Sequence, residues 1–126
     1  MNTKYNNENI FYKIIHKIID CKVIYEDDVC IAINDINPCA PVHILLLPKN
    51  NYISFNDFII TANSEEICKI FKAAHKIAQI NNLEKNGYRI VMNHGHNASQ
   101  TVMHFHIHVI GGRKIYGLCT NDDNKR

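Results

Sequence analysis

His104, His106 and His108 occupy every second position of a short stretch, with Phe105 and Ile107 between them and Val109 and Ile110 after them. Side chains along a strand point alternately to opposite faces, so a strand here places all three imidazoles on one face. Met103, Phe105, Ile107 and Val109 then fall on the other, facing a core. With a rise of ~3.3 Å per residue, neighbouring rings stand roughly 6.5–7 Å apart, near enough to line one small pocket. Histidine changes charge nearest neutral pH and has two distinct ring nitrogens. Such a row therefore suits proton handling, attack on phosphorus, or metal binding.

Three readings compete for the row. In the first, a strand merely carries polar residues on its solvent face. The second is a metal site, since His-x-His on a strand binds zinc. No Asp or Glu lies in the stretch or in the loop before it, and the spacing is not that of H-E-x-x-H. The third is phosphorus chemistry: one imidazole attacks, neighbours fix its tautomer, and a preceding loop offers N–H groups to phosphoryl oxygens. Residues 93–101 (Asn-His-Gly-His-Asn-Ala-Ser-Gln-Thr) form such a loop, small and polar, running directly into the row.

The elements that must position these groups are legible in outline. Ile10, Phe11, Ile14, Ile15, Ile18 and Ile19 recur at helical spacing and predict a short amphipathic helix after a frayed end at residues 1–9. Residues 21–26 and 29–34 read as a hairpin, and Pro38 and Pro41 enforce a turn after Asp35. The apolar run 42–47, with His43 at its entrance, predicts a central strand. Residues 49–61 read as a loop containing a turn of helix. Asn63 or Ser64 then caps a helix with Glu65 and Glu66 in its first turn and an apolar stripe from Ile67 to Ala78. Asn86-Gly87 turns the chain into a strand over 88–93, and Gly111-Gly112 ends the histidine strand. The class is α+β: an antiparallel sheet with helices alongside.

A chain of 126 residues that is 46% hydrophobic fits one domain with a real core. Its net charge is +2 and its Lys and Arg are scattered, which argues against a nucleic-acid or membrane surface but not against a small anion. Cys21, Cys30, Cys39, Cys68 and Cys119 are odd in number and form no C-x-x-C. They read as reduced thiols of a cytoplasmic protein rather than a disulfide or zinc framework. No signal peptide or apolar span is expected, and residues 118–126 read as a flexible tail.

The stretch 104–110 matches the H-φ-H-φ-H-φ-φ signature of the histidine-triad (HIT) family at every position. Ile10-Phe11, Asn34-Asp35-Ile36, Ala40-Pro41 with His43, Pro48-Lys49, Gly87-Tyr88-Arg89, Asn93 and Gly111-Gly112-Arg113 resemble its Hint branch of nucleotide-binding proteins. The likeness spans roughly residues 10–116.

This resemblance implies a five-stranded antiparallel sheet with two helices, paired in a homodimer into a continuous ten-stranded sheet. It also implies cleavage of purine nucleoside 5'-phosphoramidates through a nucleotidyl-histidine. Carried over by position, His106 is the nucleophile, His108 holds a phosphoryl oxygen, and His104 and His43 complete a hydrogen-bonded set. The backbone of Ser99, Gln100 and Thr101 cradles the phosphate, with Asn93 as a further donor and the Thr101 hydroxyl near the leaving amine. Asp35 accepts the ribose hydroxyls beside Asn34, while Ile10, Phe11, Ile14, Ile19, Ile33 and Ile36 enclose the purine. No cofactor and no metal are required, and the partners are an AMP- or GMP-type ligand and a second subunit.

Three departures stand out. Ser99 replaces the branch's usual glycine, His94 its usual acidic residue, and Ile115–Cys119 its usual C-terminal segment. Thr101 is also similar to the dinucleoside-polyphosphate hydrolases. Hydrolysis of such compounds, nucleotidyl transfer, or non-catalytic nucleotide sensing are the alternatives.

Overall fold

The computed structural model describes residues 4–118. In chain order the elements are α1 (Ile10–Ile15), β1 (Val23–Glu26), β2 (Cys30–Asn34), β3 (Val42–Pro48), α2 (Phe55–Thr61), α3 (Ser64–Ile80), β4 (Tyr88–Val91), a 3-10 turn (His96–Ala98) and β5 (Ile107–Gly111). The strands form one antiparallel sheet in the order β1-β2-β3-β5-β4. The class expected from the sequence is the one observed, with three α-helices in place of two. Among the described residues no helix is long and apolar enough to cross a membrane.

The two sheet faces bury different groups. Cys30, Ala32, Ile44, Leu46, Ile107 and Val109 face the larger core beneath α2 and α3, where Phe58 stacks on Phe105 at 4.7 Å. Ile31, Ile33, Leu45 and Leu47 meet Phe11, Ile14 and Ile15 of α1 on the other face. His108 pairs with Leu45 in the β3–β5 register, so the histidines share this second face with α1.

Local chemistry explains where elements begin and end. Asn63 caps α3 by accepting the Glu66 N–H at 2.8 Å, and Glu65 pairs with Lys69 four residues on. Asn82 ends α3 at φ +61°, with Leu83 N–H returning to the Ala78 carbonyl. The helix expected through Ile19 instead stops at Ile15. Lys17 adopts φ +62°, Lys17 N–H reaches the Ile14 carbonyl and Ile18 N–H the Lys13 carbonyl, a Schellman ending built without glycine. Within residues 49–61, expected as a loop containing a turn of helix, the helix runs over 55–61, and Asp57 folds back at its start to accept the Ile53 N–H at 2.7 Å. Gly112 sits at φ +96°, where a Cβ would meet that of Pro41 at 2.9 Å, so the end of β5 requires glycine.

The histidine strand is shorter than its alternation suggested. β5 starts at Ile107, because two ladder groups before it are committed elsewhere: the His104 carbonyl to the His106 ring, and the Phe105 N–H to the Tyr52 carbonyl at 2.7 Å. Phe105, Ile107 and Val109 are buried as the alternation requires, whereas Met103 is 36% exposed and is not core. Residues 4–9, expected to fray, are tied down through Tyr5 and Asn9. The expected tail lies mostly outside the described residues.

Candidate active site

Three histidine rings, His43, His106 and His108, and Asp35 meet where β2, β3 and the start of β5 lie side by side. His106 Nδ1–H donates to the His104 carbonyl at 2.7 Å. A neutral imidazole carries one hydrogen, so Nε2 is left with a free lone pair. Burial pushes the His106 pKa below the ordinary histidine value, against the opposing pull of that hydrogen bond and of Asp35. The ring is therefore neutral at pH 7, and Phe11 braces it edge-on with centroids 4.9 Å apart.

The next ring along is oriented by a relay. The Cys39 backbone N–H donates to His43 Nδ1 at 3.1 Å, which leaves the His43 hydrogen on Nε2. That Nε2–H donates to His108 Nδ1 at 2.9 Å, so His108 carries its own hydrogen on Nε2. Asp35 Oδ2 lies 3.3 Å from His43 Nε2 and steadies the same hydrogen. Burial lowers the pKa of His43 and brings that of His108 down to about 4, with the nearby histidines adding to the effect on His108. Arg113 holds the loop behind this relay by donating to the Cys39 carbonyl at 2.7 Å.

His104 stands apart from the other rings. It is fully buried, its Nε2–H donates to the Pro48 carbonyl at 2.8 Å, and its Nδ1 meets the Tyr5 hydroxyl at 2.6 Å. Burial brings its pKa down to about 4. The expected pocket lined by three rings is thus a pocket of His106 and His108, 5.1 Å apart, with His43 behind them. His104 contributes its carbonyl, not its ring.

The remaining site residues are placed as follows. Asp35 is half-buried and accepts the Asn37 N–H at 2.8 Å, so it is a local turn cap as well as a neighbour of His43. Asn34 is exposed at the end of β2. Asn93 is half-buried, two residues past Val91, whose partner in the sheet is His108. The Gln100 side chain is buried and acts as a brace: Oε1 accepts the Gly95 N–H at 2.9 Å, and Nε2 donates to the Ile53 and Val102 carbonyls. Ser99 and Thr101 are exposed on either side of it, with Ser99 in the left-handed region at φ +64°. Phe11, Ile14 and Ile33 are buried in the α1-face core, while Ile10, Ile19 and Ile36 are exposed, Ile36 to 87%.

Sequence reasoning missed the Cys39 N–H, the Pro48 carbonyl and Tyr5. The first two are backbone groups and leave no side-chain signal. Tyr5 is an isolated aromatic in a polar leader, which is a weak one.

Asp35, His43 and His108 bring one ligand atom each within 4.8 Å of one another, the spacing of a cation site. A cation there needs a bare lone pair on His43 Nε2, which the Cys39 N–H opposes by holding the hydrogen on that atom. The donor set fits a hydrogen-bond relay better than a metal.

Known proteins similar to this chain are numerous. Residues 16–115 match the HIT domain model. An uncharacterized HIT-like protein of Rickettsia prowazekii (strain Madrid E) is 48% identical over 119 residues, covering 94% of this chain and 99% of that one. The purine nucleoside phosphoramidase of Escherichia coli K12 is 36% identical over 108 residues, covering 86% and 90%. The crystal structure of a HIT family hydrolase from Legionella pneumophila Philadelphia 1 superposes with a TM-score of 0.83 at 36% identity, covering 89% of this chain and 99% of that one. With residues 16–115 matching the family model and most of its length shared with these proteins, the chain belongs to the HIT domain family.

Proposed function

We propose that this protein is a hydrolase of purine nucleoside 5'-phosphoramidates that works through a nucleotidyl-His106 intermediate. The observation that carries the reading is the His106 Nδ1–H bond to the His104 carbonyl, which fixes a neutral ring with its Nε2 lone pair free. That lone pair attacks phosphorus; a bond from Nε2 to phosphorus forms, the bond from phosphorus to the substrate nitrogen breaks, and the amine leaves with one added proton. Water then attacks the same phosphorus, releases one proton, and returns the bonding pair to Nε2. The net reaction consumes water and yields an amine and a nucleoside monophosphate.

The relay through His43 keeps a hydrogen on His108 Nε2, suited to a phosphoryl oxygen, and a donor of this kind contributes about 3–4 kcal/mol to a transition state. In the turn braced by Gln100, the Ser99 and Gln100 N–H groups are spent on the His96 and Gly95 carbonyls, contrary to the expected three-residue cradle, so Thr101 is what the loop offers: its N–H to the phosphate and its exposed hydroxyl to the leaving amine. Asp35 has the acceptor capacity for a vicinal diol. Ile10, Ile19 and Ile36 offer exposed apolar surface to a purine, beside the buried Phe11, Ile14 and Ile33. None of these steps needs a metal. A homodimer joined sheet to sheet has an edge to use in β4, where Tyr88 and Ile90 are both more than a third exposed.

The test is to mix the protein with a labelled adenosine phosphoramidate, quench during turnover, and locate the nucleotide by mass spectrometry. The adduct is expected on His106 and on no other residue. Faster cleavage of a diadenosine polyphosphate, or turnover with no histidine adduct, overturns the reading.

A further inference from the structure

The two nitrogens of His104 are both committed, and the direction of each bond is forced. The Pro48 carbonyl only accepts, so His104 Nε2 carries the ring hydrogen. His104 Nδ1 is then a bare lone pair in a fully buried ring, and the Tyr5 hydroxyl at 2.6 Å must donate to it. Asn9 Nδ2 in turn donates to the Tyr5 oxygen at 3.0 Å. The Asn9 side chain also caps α1, its Oδ1 accepting the Tyr12 N–H at 2.8 Å, and α1 carries the Phe11 ring that braces His106. Burial raises the Tyr5 phenol above its ordinary value, so it holds its hydrogen at neutral pH. One directed chain thus runs from Asn9 through Tyr5 and His104 to the Pro48 carbonyl, and the residue at its centre presents the carbonyl that holds His106.

We propose that Tyr5 is a positioning residue for His106: its hydroxyl pins the His104 ring, and with it the carbonyl that keeps the His106 hydrogen on Nδ1. This rests on the reading of His106 as nucleophile. Remove the hydroxyl and the buried Nδ1 is an acceptor without its donor. The relief is a shifted ring or an admitted water, and either moves a carbonyl that His106 needs at 2.7 Å.

The experiment compares the wild-type chain with Tyr5→Phe, which keeps the ring and its edge contact with His104. Long-range proton–nitrogen NMR of the histidine-labelled protein at pH 7 reads the His106 tautomer without any substrate. The wild type is expected to show the Nδ1–H form alone, and Tyr5→Phe a mixture of both forms. With an adenosine phosphoramidate, kcat is expected to fall about tenfold, the usual scale for losing an orienting partner, while KM stays within about twofold. A single Nδ1–H tautomer in Tyr5→Phe overturns the proposal whatever the rate. So does a mixed tautomer with unchanged kcat, or a variant that circular dichroism shows to be unfolded, which makes the hydroxyl a folding contact only. Should the wild type fail to cleave the phosphoramidate, the proposed activity falls, and the NMR comparison alone decides whether Tyr5 sets the His106 tautomer.

Discussion

The two ends of the histidine row have the same residue type and opposite duties. At one end His104 is fully buried with both nitrogens bonded to the protein, and burial keeps it neutral far into acid. At the other end His108 is partly exposed, bonded on one side to His43 and keeping a hydrogen to offer on the other. His106 lies between them, with one nitrogen bonded to the protein and one free. A strict sequence alternation has thus been divided into three hydrogen-bonding states, which the proposed function uses as a support, a nucleophile and a donor. The division is made not by the histidines but by what each second nitrogen meets: a phenol, a carbonyl, another imidazole.

The sharpest break of this comparison is at its centre. His106→Ala is expected to lower kcat for an adenosine phosphoramidate by about 10⁴-fold or more, on the scale seen when a nucleophile is removed, and to abolish the adduct. His108→Ala should lower kcat by about 10²–10³-fold, the scale for one anion-stabilising donor, with the urea midpoint little changed. His104→Ala should behave in the opposite way. It leaves a cavity and an unpaired Pro48 carbonyl, so about 2–4 kcal/mol of stability is lost in urea titration, with activity falling alongside.

Acid sharpens the same contrast. His104 and His108 have folded-state pKa values of about 4, below the ordinary histidine value expected in the unfolded chain. Between roughly pH 6.5 and 4 the unfolded state binds more protons, so stability is full above that window and drains as pH falls through it. For His104 the loss at pH 4.5 is on the order of 2 kcal/mol relative to pH 7, and a urea series across that range, repeated on His104→Ala, should show a flatter slope in the variant. The smallest effect is expected in the loop. Ser99→Gly relieves a left-handed residue at φ +64° and should change stability by only about 0.5–1 kcal/mol, in the stabilising direction.

How much of this was legible follows from where the information is stored. The caps of α3, its stripe apart from the exposed Phe71, the buried run of β3 and the turn at Gly87 are written in side chains and were read correctly. The early stop of α1 was not, because lysine at position 17 gives no hint of a left-handed turn that backbone bonds complete. The helix at 55–61 was legible only as one turn within a loop, because Phe, Ile and Thr favour strands and its start is set by one folded-back aspartate. In the site, residue types pointed to the three alternating histidines, and the family resemblance added His43 and Asp35. The partition of the row did not show, since it depends on the Cys39 N–H, the Pro48 carbonyl and a tyrosine distant in sequence. Gln100 was named for its backbone, and its side chain turned out to be the brace.

The donor that sets His43 belongs to the main chain of Cys39, while the thiol of that residue is exposed. Oxidants and alkylating reagents that consume the sulfur leave the amide hydrogen where it is. Position 39 can likewise be rewritten with any of the eighteen other amino acids that carry an amide hydrogen and keep the donor to His43; only proline, which has none, erases it.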